Sequence, residues 1–217
     1  AANRLKMYVN GSQVTSFSTA NYPTQNLEAS VNDNYLHAIG SSAKTNIDWS
    51  GYLAQFYLID GSALTPSSFG ETNALTNQWQ PIEPSKIKPT VTFGVNGFYL
   101  PFSNDALADS FTDSATGNAI ARYGDLVTKT AQKKFGTASG YWDGTDDYLA
   151  AGGVPIGPTG TGNWTVECWI YNDISQGNNS LYTQCASGSN DGLQIEWVSA
   201  NGGLACWDYS LASDWTE

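Results

Sequence analysis

Trp164-Thr165-Val166-Glu167-Cys168-Trp169-Ile170-Tyr171 decides the fold class. Val166, Cys168 and Ile170 alternate with Glu167 and Trp169, and a period of two puts the first set on one face of an extended strand. Cys168 therefore points where Val166 and Ile170 point, toward a core, as a small apolar side chain.

Outward from this segment the same grammar repeats. Strands are expected at 181–184, 193–198 and 204–209, separated by Gly, Asn and Ser clusters at short, regular spacing. Toward the other end, 4–9 alternates through Leu5, Met7 and Val9 into Asn10-Gly11, whose residues accept the positive φ angles of a tight hairpin. Further strands are expected at 35–40 and 52–59, the latter ended by Asp60-Gly61. Thr65-Pro66-Ser67-Ser68-Phe69-Gly70 reads as one helical turn, with Thr65 as cap, Pro66 in the first helical position and Gly70 as stop. Antiparallel strands without long amphipathic helices make the chain all-β and exclude alternating βαβ units.

Composition agrees. Aromatic residues reach 13 % while charged residues are 13 %, which suits turn-rich β structure with a neutral polar surface and not a disordered chain. Twenty acidic against nine basic residues give a formal net charge of -11, and Lys133-Lys134 is the one basic pair, so no basic stripe is available for nucleic acid. No apolar run approaches the roughly 20 residues of a membrane helix, so no membrane insertion is expected.

Between Asn73 and Lys134 the pattern loosens. Pro81, Pro84 and Pro89 suggest an extended connector, on which Phe98, Tyr99, Leu100 and Phe102 are apolar enough to dock.

Two pairs of patterns resemble the laminin-G-like, concanavalin-A-like jelly roll. Tyr141-Trp142-Asp143-Gly144-Thr145-Asp146-Asp147-Tyr148-Leu149 with 164–171 is similar to the opening of such a domain. Arg4-Leu5-Lys6-Met7-Tyr8-Val9-Asn10-Gly11 with Gly51-Tyr52-Leu53-Ala54-Gln55-Phe56-Tyr57-Leu58-Ile59-Asp60-Gly61 is similar to its close. The order is reversed here. The resemblance thus implies an antiparallel jelly-roll β-sandwich whose C-terminal half occupies 1–84 and whose N-terminal half occupies 135–217, joined by a linker at 85–134. On this reading the chain is a piece of a repetitive extracellular or virion protein, with both ends inside a domain. The halves either complete one another as a permuted single domain, which the connector length favours, or pair with adjacent copies. Phe69-Gly70-Glu71, Trp79-Gln80-Pro81 and the stretch from Phe93 to Phe102 resemble the linker between such domains in tail, fibre and other structural proteins of bacteriophages, notably marine ones.

What the resemblance implies is a non-enzymatic virion structural protein, at the particle surface, whose partners are other virion proteins, copies of itself and host-surface glycans. The rivals are a secreted carbohydrate-binding module or glycoside-active domain, and an architectural spacer without a ligand. A glycosidase of this fold needs two acids an even number of positions apart on one strand. Glu167 and Glu196 each lack one, and a triad has only His37 to draw on. Trp169, Trp197, Trp207 and Trp215 are the candidate glycan-binding residues, because indole faces stack on the apolar faces of sugar rings. Asp143, Asp146 and Asp147 around Gly144 are the candidate ligands for Ca2+, against the alternative of an Asp-Gly turn whose carboxylates satisfy local amides. Cys185 and Cys206 are within disulfide reach only if their strands are neighbours.

Overall fold

A computed structural model of the chain describes residues 4–22, 36–42, 47–106, 110–151, 162–172, 178–185, 192–198, 203–208 and 213–216. Tyr35, Tyr209 and the terminal residues Ala1 and Glu217, which bear on the expectations above, lie outside them. The fold is all-β and antiparallel, with the strands curling into a half-barrel. The first strands are β1 (Tyr8–Val9), β2 (Ser12–Gln13), β3 (Thr19–Ala20), β4 (Leu36–Ile39), β5 (Ser50–Asp60) and β6 (Gly70–Thr72). There follow β7 (Trp79–Pro81), β8 (Phe98–Leu100), β9 (Ile120–Tyr123), β10 (Val127–Lys129), β11 (Ser139–Asp143) and β12 (Tyr148–Ala151). The last are β13 (Trp164–Asn172), β14 (Asn178–Cys185), β15 (Gly192–Val198), β16 (Gly203–Asp208) and β17 (Ser213–Thr216).

Besides Ser110, helix among the described residues is confined to a 3-10 turn at Pro66–Ser68 and the single-turn α1 (Pro84–Ile87). Proline opens both, because its missing N–H is not needed at the first helical position. Pro84 thus starts a helix where an extended connector was expected. Thr65 precedes the 3-10 turn, but its hydroxyl bonds Ser67 Oγ at 2.9 Å and caps no amide.

The first hairpin forms at Asn10-Gly11, with φ of 49° and 79°, the left-handed pair a two-residue turn demands. It is shorter than the alternation suggested. Leu5 and Met7 pack against the core ahead of β1 without joining the ladder as strand residues.

β6 and β7 pair only with each other, and two larger sheets hold the rest. In the five-stranded sheet the order is β10-β11-β5-β13, with β8 also paired to β5; in the eight-stranded sheet it is β3-β17-β16-β15-β14-β4-β12-β9. One apolar cluster joins them: Leu53, Phe56, Leu58, Phe98 and Trp142 from the first meet Ile39, Leu149, Tyr182, Leu193 and Cys206 from the second. Strands from 1–84 and from 135–217 are neighbours in both sheets, since β5 pairs with β13, β4 with β14, and β3 with β17.

β5 is the central strand and is buried from Gly51 to Ile59. Leu53, Phe56 and Leu58 enter the main cluster, whereas Tyr57 and Ile59 enter a second one with Phe69, Ile87, Phe93 and Tyr99. The step from Leu53 to Phe56 breaks strict alternation. A bulge absorbs the extra residue: Gln55 sits at φ 55°, and the register against β13 shifts between Glu167 and Trp169. The second cluster is the underside of the connector, which is pinned by Asp113. Its carboxylate accepts the amides of Tyr99, Ala115, Thr116 and Asn118 and the Thr116 hydroxyl. Burial alone would raise the Asp113 pKa, but the hydrogen bonds outweigh it and hold the carboxyl below its ordinary range.

β15 lies between β14 and β16, so Cys185 and Cys206 are not on neighbouring strands. Two strand spacings alone amount to about 9.5 Å, and the partners of the two cysteines on β15, Gly192 and Ile195, are three residues apart, so the pair is well beyond the roughly 7 Å a disulfide spans. Cys206 is instead buried in the main cluster, and Cys168 packs against it as its parity required.

Phe56 is fully buried at the junction of both sheets. Phe56→Ala is expected to cost about 3–5 kcal/mol in equilibrium denaturation, whereas Leu75→Ala, at a side chain 96 % exposed, should stay within about 0.5 kcal/mol.

Candidate functional site

The outward face of the five-stranded sheet follows from parity. Ile170, Leu53 and Trp142 point into the core, so Tyr171, Trp169, Tyr52 and Tyr141 point away from it. The connector covers one half of this face and leaves the other accessible.

Under the connector lies a polar knot. Tyr57 is paired with Glu167 on one side and Tyr99 on the other, and the two tyrosine rings stack with centroids 4.4 Å apart. Tyr99 donates its hydroxyl proton to Gln55 Oε1 at 2.5 Å, and Gln55 Nε2 donates to the carbonyl of Pro101 at 3.2 Å. Glu167 retains some residue surface, yet its Oε2 is sealed and without a partner. Burial therefore pushes its carboxyl up to about 8, so the group is protonated at neutral pH. Burial likewise pushes the Tyr99 phenol up to about 12.

On the accessible half three tyrosines form a row across three strands. Tyr141 is in register with Tyr52, and Tyr52 with Tyr171; their ring centroids are 5.0 Å and 5.9 Å apart, tilted and edge-on. Tyr171 is 50 % exposed, the middle ring Tyr52 is 8 % exposed and Tyr141 is half-buried, so Tyr171 is the open end of the row. Half-buried Trp169 flanks it, paired with Ala54, whose small side chain leaves the indole uncovered from that strand. Two exposed lysines lie on these rings: Lys129 Nζ is 3.2 Å from the Tyr141 centroid and Lys134 Nζ 4.1 Å from that of Trp169. Aromatic faces beside mobile ammonium donors can stack on a sugar ring and bond its hydroxyl or carboxylate oxygens.

A second constellation sits where three crossings between the sheets meet. Asp48 precedes β5, Gly124-Asp125 joins β9 to β10, and residues 144–147 join β11 to β12. Asp146 lies at φ 52° and donates its amide to Asp48 Oδ2 at 3.2 Å. Asp143 serves the turn: its Oδ1 accepts the Thr145 amide at 2.8 Å, and its own amide donates to Asp147 Oδ2 at 3.3 Å. Asp125, Asp146 and Asp147 each place a carboxylate oxygen within 4.8 Å of the other two. Asp147 is only 1 % exposed, and its Oδ1 has no partner. Burial first, then the charges of Asp143, Asp125 and Asp146, push its carboxyl up to about 6 against the pull of the Asp143 amide.

The residues singled out in the sequence thus part company. Trp169 is on the outward face of the five-stranded sheet. Trp207 is on that of the eight-stranded sheet, where its Nε1 donates to Glu196 Oε2 at 3.1 Å. Trp197 packs against the core between them, and the Trp215 side chain lies outside the described residues. Asp146 and Asp147 come together, with Asp125 as their third partner where Asp143 was expected. The signal for Asp125 was a Gly-Asp turn between two short strands, inside a region read as connector. For the tyrosines it was parity relative to Leu53, Trp142 and Ile170. His37 is buried in β4, Nδ1 bonded to the Tyr182 hydroxyl at 2.6 Å, and burial lowers its pKa to about 4.

Comparison with family models, with curated proteins and with solved structures finds no match, so the chemistry rests on these residues.

A carboxyl raised in the native state favours folding when protonated. The Glu167 contribution is complete below the unfolded value of 4.5 and is lost as pH rises through about 8. Glu167→Gln should therefore raise the melting temperature at pH above 8 and leave it unchanged near pH 4, measured by scanning calorimetry across pH. Equal shifts at both pH values would contradict a neutral, buried Glu167.

Proposed function

We propose that this chain is a non-enzymatic structural protein of a bacteriophage particle, from a tail, a fibre or a capsid decoration, and that it binds host-surface glycans. Its architecture on this reading is a laminin-G-like jelly-roll sandwich in permuted order. Support comes from the motif order and from the pairing of β5 with β13, which unites the closing and opening patterns of that domain in one sheet. Docking of the linker-like segment Phe98–Leu100 on β5 supports it further.

One observation carries the glycan reading: the row Tyr141, Tyr52, Tyr171 beside Trp169, with its open end at Tyr171. Carbohydrate recognition uses such rings to cover the C–H face of a sugar, with a few polar donors fixing its orientation. Lys129, Lys134 and the Tyr141 and Tyr171 hydroxyls are the donors at hand. Acidic surface saccharides suit them best, since the two ammonium groups are local positive charges on a chain of formal net charge -11.

An array of bacterial surface oligosaccharides, followed by calorimetric titration of the best binder, tests the reading. Tyr171→Ala and Trp169→Ala are expected to weaken binding tenfold or more, about 1.4 kcal/mol, while the melting transition stays cooperative. Trp207→Ala, on the other sheet, should leave binding intact. An array without a binder would make the chain an architectural spacer. Absence of the protein from purified particles would remove the virion assignment.

A further inference from the structure

The acidic corner has a property that a solvated surface lacks. Asp147 is 1 % exposed, its Oδ2 takes the Asp143 amide, and its Oδ1 has no partner. A buried carboxylate oxygen without a hydrogen bond or counter-charge is costly. Among the described residues no lysine or arginine pairs with it; Arg122, on the adjacent strand, gives its Nη1 to the carbonyl of Leu126 at 2.9 Å. Two more carboxylates converge on the same point. Moreover, Gly124 leaves room there: a Cβ at that residue would stand 2.5 Å from Asp147 Oδ1 and 2.8 Å from the main-chain oxygen of Asp146.

We infer that Asp125, Asp146 and Asp147 bind Ca2+, with Asp147 Oδ1 as the buried ligand and the main-chain oxygen of Asp146 within reach as a fourth. The three carboxylate oxygens fall within 4.8 Å of one another, close enough to share one ion, and carboxylate and main-chain oxygens from turns are the donors Ca2+ takes. Mg2+ demands a near-ideal octahedron and keeps several of its own waters, so a site built from three carboxylates and a main-chain oxygen suits it less well. Asp143 is not among the converging carboxylates, and its Oδ1 accepts the Thr145 amide instead. Bound there, the ion joins the crossing from β9 to β10 with that from β11 to β12, each of which passes between the two sheets. Its charge also offsets the mutual repulsion of the carboxylates. It acts on the fold and does not depend on the aromatic face.

The test compares melting temperatures of the chelator-treated chain with and without CaCl2, alongside MgCl2, and measures Ca2+ binding by calorimetry. At about 5 mM Ca2+ a rise of about 5 °C or more is expected from stabilisation of the native state by a bound ligand. Mg2+ should give a smaller one. Asp125→Asn, at an exposed position that folding tolerates, and Asp147→Asn should each abolish the Ca2+ response; Asp143→Asn should keep it. Two results would overturn the inference: no heat and no shift in the unmutated chain, or a response lost in Asp143→Asn and kept in Asp125→Asn. The second would move the ion to the 143–147 turn. Glycan binding by the aromatic face would stand in either case.

Discussion

Burial of β5 on both faces is the constraint from which the other features follow. A strand covered on two sides must be apolar nearly throughout, and Leu53, Phe56, Tyr57, Leu58 and Ile59 meet that demand. One set of side chains faces the eight-stranded sheet, the other the connector. Alternation serves both clusters, and the bulge at Gln55 switches its parity, so that Leu53 and Phe56 face the same sheet. A left-handed φ at a non-glycine residue costs about 1–3 kcal/mol. The Gln55 side chain offsets it by bonding Tyr99 and the Pro101 carbonyl, so the bulge also anchors the connector to the sheet.

That anchoring sets the extent of the accessible face. The connector, through Phe93 and Tyr99, covers Tyr57 and Ile59 and stops short of Tyr52, which leaves Tyr141, Tyr171 and Trp169 at the surface. Strand β11 links the two constellations: Tyr141 belongs to the aromatic row, and Asp143, two residues on, begins the acidic corner. The proposed glycan face and the inferred cation site thus share one strand but draw on different ligand chemistry, stacking in one and hard oxygen donors in the other.

The all-β class was legible because alternation and turn residues are local properties. The hairpin at Asn10-Gly11, the turn at Pro66 and the strands β5, β13 and β15 fall within two residues of the positions read from the sequence. What could not be read is which strands meet. Parity says that Val166, Cys168 and Ile170 share a face; it does not say that β5 lies beside them, nor that a bulge shifts the register at Glu167. The four tryptophans look equivalent in the sequence, yet Trp169, Trp197 and Trp207 differ in their surroundings because each is set by long-range partners. The acidic group likewise depends on a long-range partner. Asp143, Asp146 and Asp147 are near in the chain, but the turn takes Asp143 for its own amides, and Asp125 arrives from another crossing. Pro84 was read as a breaker where its position made it a helix start.

Native-state hydrogen exchange, resolved by residue, tests the central claim most directly. If β5 is a strand held between two clusters and paired with β11, β8 and β13, its amides from Leu53 to Ile59 should exchange only through global unfolding, together with those of Val166 to Ile170. Exchange of β5 through local opening, at free energies no higher than those of the two-stranded β6–β7 pair, would mean that β5 is not the buried centre of the fold.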